Sequence, residues 1–195
     1  MKIPYIKQNL DLSNRDRERI GSLLHIIAKK HNPFYLTRLL KLLYLIDEKS
    51  VQEIGVPVTN FEYRVAEKGP LIVDLWKNLK ENNLFDDYIE VTTVEMGEGD
   101  DRFKITPISE PKEKLFSDYE LQLINNVVRD YKGWKTEDII NYIHNDEKSL
   151  WKHIVDTNSV KFNAQKISEY KINFREHIKN DETLSDFFDV YHKLR

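Results

Sequence analysis

The sequence predicts an α+β fold: a mostly helical single domain with a small antiparallel β-sheet. Three observations lead there. Leu36, Leu39, Leu40, Leu42, Leu43 and Ile46 wrap more than one face of a 3.6-residue period, the pattern of a helix buried on two sides. Two alternating, β-branched runs, Tyr88 to Val94 and Arg102 to Thr106, flank a Gly97-Glu98-Gly99-Asp100 turn and read as a hairpin. Ser117 followed by Glu120 forms a capping box ahead of an apolar run, the signature of a helix start.

In chain order, residues 1–13 read as an irregular arm containing Pro4. Asn14 opens a first helix with Ile20, Leu23, Leu24 and Ile27 on one face and arginines on the other. Gly21 within it costs about 1 kcal/mol relative to alanine unless close packing uses the missing side chain. His31-Asn32-Pro33 breaks this helix, and the leucine-rich hub helix follows until Gly55 and Pro57. Phe61 to Ala66 sets Tyr63 and Val65 against Glu62 and Arg64, as a half-buried strand requires.

Gly69-Pro70 reads as a solvent-facing corner. Gly69 permits backbone angles closed to other residues, and Pro70 suits the first turn of a helix running to about Glu81. Leu84 and Phe85 tuck under the end of that helix, and the hairpin is expected to recruit the Phe61 segment, since two strands alone are marginal.

After the capping box, with Phe116 placed to staple onto Leu121, a helix runs through Ile124, Val127 and Val128 to Tyr131, and Gly133 ends it. Thr136 opens another, with Ile139, Ile140 and Ile143 apolar and Glu137 and Asp138 in the first turn, where the dipole favours acids. His144-Asn145-Asp146 interrupts, and Ser149-Leu150-Trp151 begins a short helical turn. Two further helices, about 165–179 and 184–194, carry Tyr170, Phe174, Ile178, Phe187, Phe188 and Tyr191. The chain thus divides into an arm and helix over 1–33, a core over 34–155 and a C-terminal helical extension over 156–195 packed on the core.

With 195 residues, 40% hydrophobic and 32% charged, the chain lies in the ordinary globular range and is long enough to bury a core. The absence of cysteine excludes disulfides, thiolate catalysis and cysteine-held metals. No apolar run approaches bilayer-spanning length and the first residues hold no signal-peptide core, so a cytoplasmic location without membrane contact is expected. The net charge of −3 is unevenly spread. Arg15, Arg17, Arg19, Lys29, Lys30, Arg38 and Lys41 make the first part basic, whereas Asp86, Asp87, Glu90, Glu95, Glu98, Asp100 and Asp101 form an acidic run. The bland reading is two solvated faces; the sharper one is a bipolar surface that docks a protein of opposite charge.

No constellation for catalysis stands out. No histidine pair has the i, i+4 spacing with glutamate of a helical zinc hydrolase, and His144, Asp146 and His153 would need to converge to bind a metal. A lone histidine near a helix end is more often a hydrogen-bonding cap, so no metal, cofactor or catalytic residue is assigned. Gly97 and Gly99 sit in an acidic turn that would repel phosphate. Asp47-Glu48-Lys49 looks like a nuclease fragment but falls on the back half of a helix and reads as surface charge. Helices followed by a hairpin is the order of a winged-helix module, with first-helix arginines available to phosphates. A wing carrying Glu95, Glu98, Asp100 and Asp101 would repel DNA, which disfavours a nucleic-acid partner. A protein-binding module remains. Trp76, Trp134, Trp151, Tyr44 and Tyr63 are typical interface anchors and equally typical core residues.

Two segments, LTRLLKLLYLIDEKSVQEIGVPVTNFEYRVAEKGPLIVDLWKNL and LFSDYELQLINNVVRDYKGWKTEDIINYIHNDEKSLWKHI, resemble the Panacea, or SocA-like, domain family. The resemblance rests on the KLLY helix, the short Gly-x-Pro turn, the strand, the Lys-Gly-Pro corner, and a histidine followed by a tryptophan, here His144 and Trp151. It covers about Phe34 to Ile154; where many members have an aromatic three residues before the corner glycine, this chain has Ala66. The resemblance implies a non-enzymatic bacterial or phage antitoxin that binds and neutralises a cognate toxin encoded beside it. Some relatives are phage-associated without a demonstrated toxin, so the alternative is a DNA-binding or adaptor-type phage regulatory protein. The implied partner-binding residues are Glu67, Lys68, Gly69 and Pro70 at the corner, Tyr44 on the hub helix, and His144 with Trp151 if the two halves of the motif meet.

Overall fold

The computed structural model describes residue 10, residues 12–95, residue 97 and residues 101–194. The expected arm at Pro4 and the hairpin residues Glu98, Gly99 and Asp100 lie outside them. Ser13 caps α1 (Asn14–Lys29) by accepting the Asp16 N–H at 3.1 Å. Gly55, at φ +73°, ends the hub helix α2 (Leu36–Ile54) in the left-handed cap that glycine tolerates. As the leucine pattern requires, α2 is buried on nearly every side.

Around it pack α1, α4 (Asp118–Asp130), α5 (Thr136–Asn145), the short α7 (Arg175–Ile178) and α8 (Glu182–Lys193). The capping box at the start of α4 forms as expected: the Ser117 hydroxyl accepts the Glu120 N–H and the Glu120 carboxylate accepts the Ser117 N–H. The helices α3 (Val73–Glu81) and α6 (Leu150–Thr157) complete a mostly helical α+β domain.

Among the described residues two small antiparallel sheets form rather than one. In the first, β1 (Tyr63–Ala66) lies between β2 (Gly69–Leu71) and β5 (Ile167–Ile172). In the second, β3 (Ile89–Val94) pairs with β4 (Arg102–Pro107). The expectation that this hairpin recruits the Phe61 segment is therefore corrected, because both edges of β1 are already taken. The hairpin instead rests on the α1–α2 connection, where the Ile105 N–H donates to the Phe34 carbonyl at 2.8 Å and Lys104 bridges to Tyr35.

The helix expected over 165–179 is also corrected, to β5 followed by α7. The Asn163 carboxamide accepts the N–H groups of Gln165 and Ile167, and Lys166 takes a left-handed φ of 64°; neither is compatible with a helix through this point. The helix expected from Pro70 begins at Val73, because Gly69 to Leu71 pairs with β1. Pro70 occupies an edge strand, where its missing N–H disrupts no ladder.

The basic half of the expected bipolar surface is largely engaged within the fold. Arg17 donates to the Leu84 carbonyl and pairs with Asp86 and Asp87 of the acidic run. Arg19 reaches the Leu115 carbonyl and Glu120, and Arg38 holds the carbonyls of Tyr131, Lys132 and Trp134. Among the described residues no helix is long and apolar enough to cross a membrane.

Close packing accounts for Gly21. A Cβ there would stand 2.3 Å from Cδ2 of the buried Tyr88 ring, closer than atoms approach. Gly21→Ala should therefore lose about 1–3 kcal/mol of stability to overpacking despite alanine's better helix propensity, measured by urea denaturation.

Candidate functional site

The polar residues of α2 build the site. Lys41, Tyr44 and Glu48 lie at i, i+3 and i+7 and so share a stripe of a helix that is otherwise leucine-rich. Lys41 is buried to 3% exposure, and its ammonium donates to the Pro70 carbonyl on β2 at 2.6 Å. Burial, with the Lys68 charge as the lesser cause, lowers its pKa to about 7.

The hairpin that Lys41 supports turns at Glu67-Lys68 and registers Ala66 opposite Gly69. Glu67 and Lys68 are exposed, while Gly69 and Pro70 are buried, which corrects the expected exposure of the whole corner. Gly69 has φ +91°, and a Cβ there would sit 3.4 Å from Lys41 Nζ and 3.5 Å from His144 Nε2. The missing side chain thus matters twice: for the closing angle of the hairpin and for the approach of two basic side chains to its backbone.

The two motif halves do meet. The His144 ring stacks on Trp151 at 3.8 Å and 7°, and Trp151 Nε1 donates to the Ala66 carbonyl at 2.9 Å. Burial first and Lys41 second lower the His144 pKa, favouring the neutral ring beside the buried amine. The third strand braces the hairpin from its other side: the Glu67 N–H donates to the Lys166 carbonyl at 2.9 Å and Ser168 Oγ donates to the Val65 carbonyl at 2.7 Å. Lys166 holds that carbonyl in place from a left-handed backbone, which costs a non-glycine residue about 1–2 kcal/mol.

Tyr44 lies deeper. Its hydroxyl donates to Glu48 at 2.5 Å, and its ring meets Tyr63 and Phe174 at 5.5 and 5.6 Å between centroids. Burial and the Glu48 charge raise its pKa well above the ordinary tyrosine value. Glu48 also binds His177 Nε2 at 2.8 Å, tying α2 to α7.

Sequence reasoning missed Lys41 and misplaced Asp47. Asp47 is not surface charge: it is fully buried and accepts from the Thr59 N–H, the Thr59 hydroxyl and the Tyr63 hydroxyl. Nothing local marked Lys41 as buried, because Thr37, Arg38 and Glu48 share its side of the helix and make that side read as solvated.

Of the seven expected partner-binding residues, Glu67 and Lys68 reach solvent; Gly69, Pro70, His144 and Trp151 gather beneath them, and Tyr44 lies in the aromatic core nearby. Among the described residues no group of three or more His, Cys, Asp or Glu side chains is placed to hold a metal, so His144, Asp146 and His153 do not converge.

The arrangement is a small α+β scaffold that presents a charged hairpin tip over a buried polar support. The chain belongs to the antitoxin SocA-like, Panacea domain family, whose family model matches residues 39–152 and so takes in Lys41, Tyr44, the hairpin tip, His144 and Trp151. No curated protein and no solved structure matches the chain.

Lys41 makes stability depend on pH in a defined sense. Between its folded pKa of about 7 and the ordinary 10.5, the native state holds fewer protons than the unfolded chain, so the stability contributed here rises with pH across that window. Relative to Lys41→Met, the wild type should gain on the order of 3 kcal/mol from pH 7 to pH 10. Urea denaturation of both proteins across that range checks this, and a constant difference would refute it.

Proposed function

We propose that the protein is the antitoxin of a bacterial or prophage toxin–antitoxin pair and that it neutralises its cognate toxin by direct binding. The observation that carries this reading is membership of the SocA-like antitoxin family across residues 39–152. The geometry supports a division of labour within the expected site. Glu67 and Lys68 make the contact, and Gly69, Pro70, Tyr44, His144 and Trp151 hold the tip in one shape. Ordering the tip in advance removes part of the entropic cost of association. In this reading the core over 34–155 carries the contact surface, the segment over 156–195 supports it, and the protein works stoichiometrically in the cytoplasm without catalysis.

Co-expression with the neighbouring toxin gene should restore growth and yield a co-purifying complex; failure of both outcomes counts against the antitoxin reading. Lys68→Glu should weaken the complex by about tenfold or more without lowering the melting temperature, because the side chain is exposed and its charge only opposes that of Lys41. Isothermal titration calorimetry and thermal denaturation read the two effects separately, and full affinity in the variant would place the contact elsewhere.

A further inference from the structure

Helix α8 presents an apolar strip to solvent. Ser185 and Phe188 face the core, whereas Phe187, Val190 and Leu194, spaced i, i+3 and i+7, are 55%, 52% and 81% exposed. Isolated exposed hydrophobics are common, but an aligned strip on one helix marks a surface that another element covers. Ile54, itself 37% exposed, lies at the end of α2 beside this helix, since Gly55 packs so closely on the Leu184 carbonyl that a Cβ would stand 2.5 Å from it.

The charges along the strip indicate what covers it. Glu182, Asp186 and Lys193, spaced by four and seven residues, lie on one flank of the strip, and all three are exposed. The flank is acidic at the start of the helix and basic at its end. Asp189 shares this flank, seven residues on from Glu182 and three on from Asp186, but Arg175 neutralises it with two hydrogen bonds of 2.9 and 3.0 Å, so the sign along the flank is set by Glu182, Asp186 and Lys193. A flank that reverses sign along its length is complementary to its own copy run in the opposite direction. With a two-fold axis near Val190, Phe187 packs against Leu194 of the second copy, Val190 meets its counterpart, and Asp186 comes opposite Lys193. A partner of uniform charge would match only half of it.

We propose that two copies of this chain associate through α8, antiparallel about a two-fold axis at Val190. The interface is isologous, as in most homodimers. A single helix pair buries less than a standard interface, so the association is reversible and concentration-dependent, on the order of micromolar.

Sedimentation equilibrium on the full chain, from low micromolar to several hundred micromolar, tests this. The wild type should pass from monomer to dimer, and Val190→Asp should raise the dissociation constant by about tenfold or more. Asp186→Lys and Lys193→Asp should each weaken association, and the two together should restore it, because the reversed charges again pair across the axis. All three side chains are exposed, so circular dichroism and melting temperature should stay at wild-type values. A wild type that remains monomeric throughout overturns the proposal. So does a dimer indifferent to Val190→Asp, or a double reversal no better than either single one.

Discussion

A helix buried on almost all sides has to find partners in other parts of the chain for every polar side chain it carries. This constraint on α2 organises the fold. Lys41 takes the Pro70 carbonyl, Asp47 takes Thr59 and Tyr63, Glu48 takes His177, and Ser50 donates to the Val56 carbonyl at 2.6 Å. Each bond fixes a different segment: the β1–β2 hairpin, the stretch leading into β1, the α7 turn, and the chain leaving the helix. The leucines supply the non-directional drive for burial, and these four contacts decide which piece of chain lies against which face.

The two buried ionisable groups bear different costs. Burial raises Asp47 to about pKa 6, with the Thr59 and Tyr63 hydrogen bonds pulling the other way. Its native state keeps a proton that the unfolded chain releases above about 3.8, so its contribution to stability falls as pH climbs towards 6 and stays low above. The cost of Lys41 is complete below about 7 and fades above. Near neutrality both costs are present together. Hydrophobic groups of the same shape would avoid them, so retention of the charges fits a role in fixing geometry rather than in adding stability.

What was legible in the sequence followed period and capping. The leucine pattern gave α2, Ser117 and Glu120 gave the start of α4, and β-branched alternation gave β3 and β4. The Lys-Gly-Pro motif and the His–Trp pair marked residues that do gather in space. Pairing between distant segments was hidden. Nothing local in Ile167 to Ile172 names β1 as its neighbour, and β1 offers the same hydrogen-bonding edge to any strand. Asp47 was misread for a related reason. A carboxylate at that point of a helix looks solvated until Thr59 and Tyr63, a dozen or more residues on, return to bind it.

The span that defines the family and the span that holds the site together are not the same. The family match ends at residue 152, yet β5 provides the second edge of β1, Lys166 and Ser168 hold the backbone at Glu67 and Val65, and His177 closes the stripe that Lys41 begins. Phe174 packs between Tyr44 and Tyr63, joining the aromatic core to the C-terminal segment. The hairpin tip is therefore shaped from two directions, by Lys41, His144 and Trp151 within the matched span and by β5 outside it. A family motif can stay constant while the segment that braces it varies, because bracing requires only a strand edge, a few backbone acceptors and an apolar ring. Those requirements constrain pattern rather than residue identity, so the support can reach beyond the region that a family model recognises.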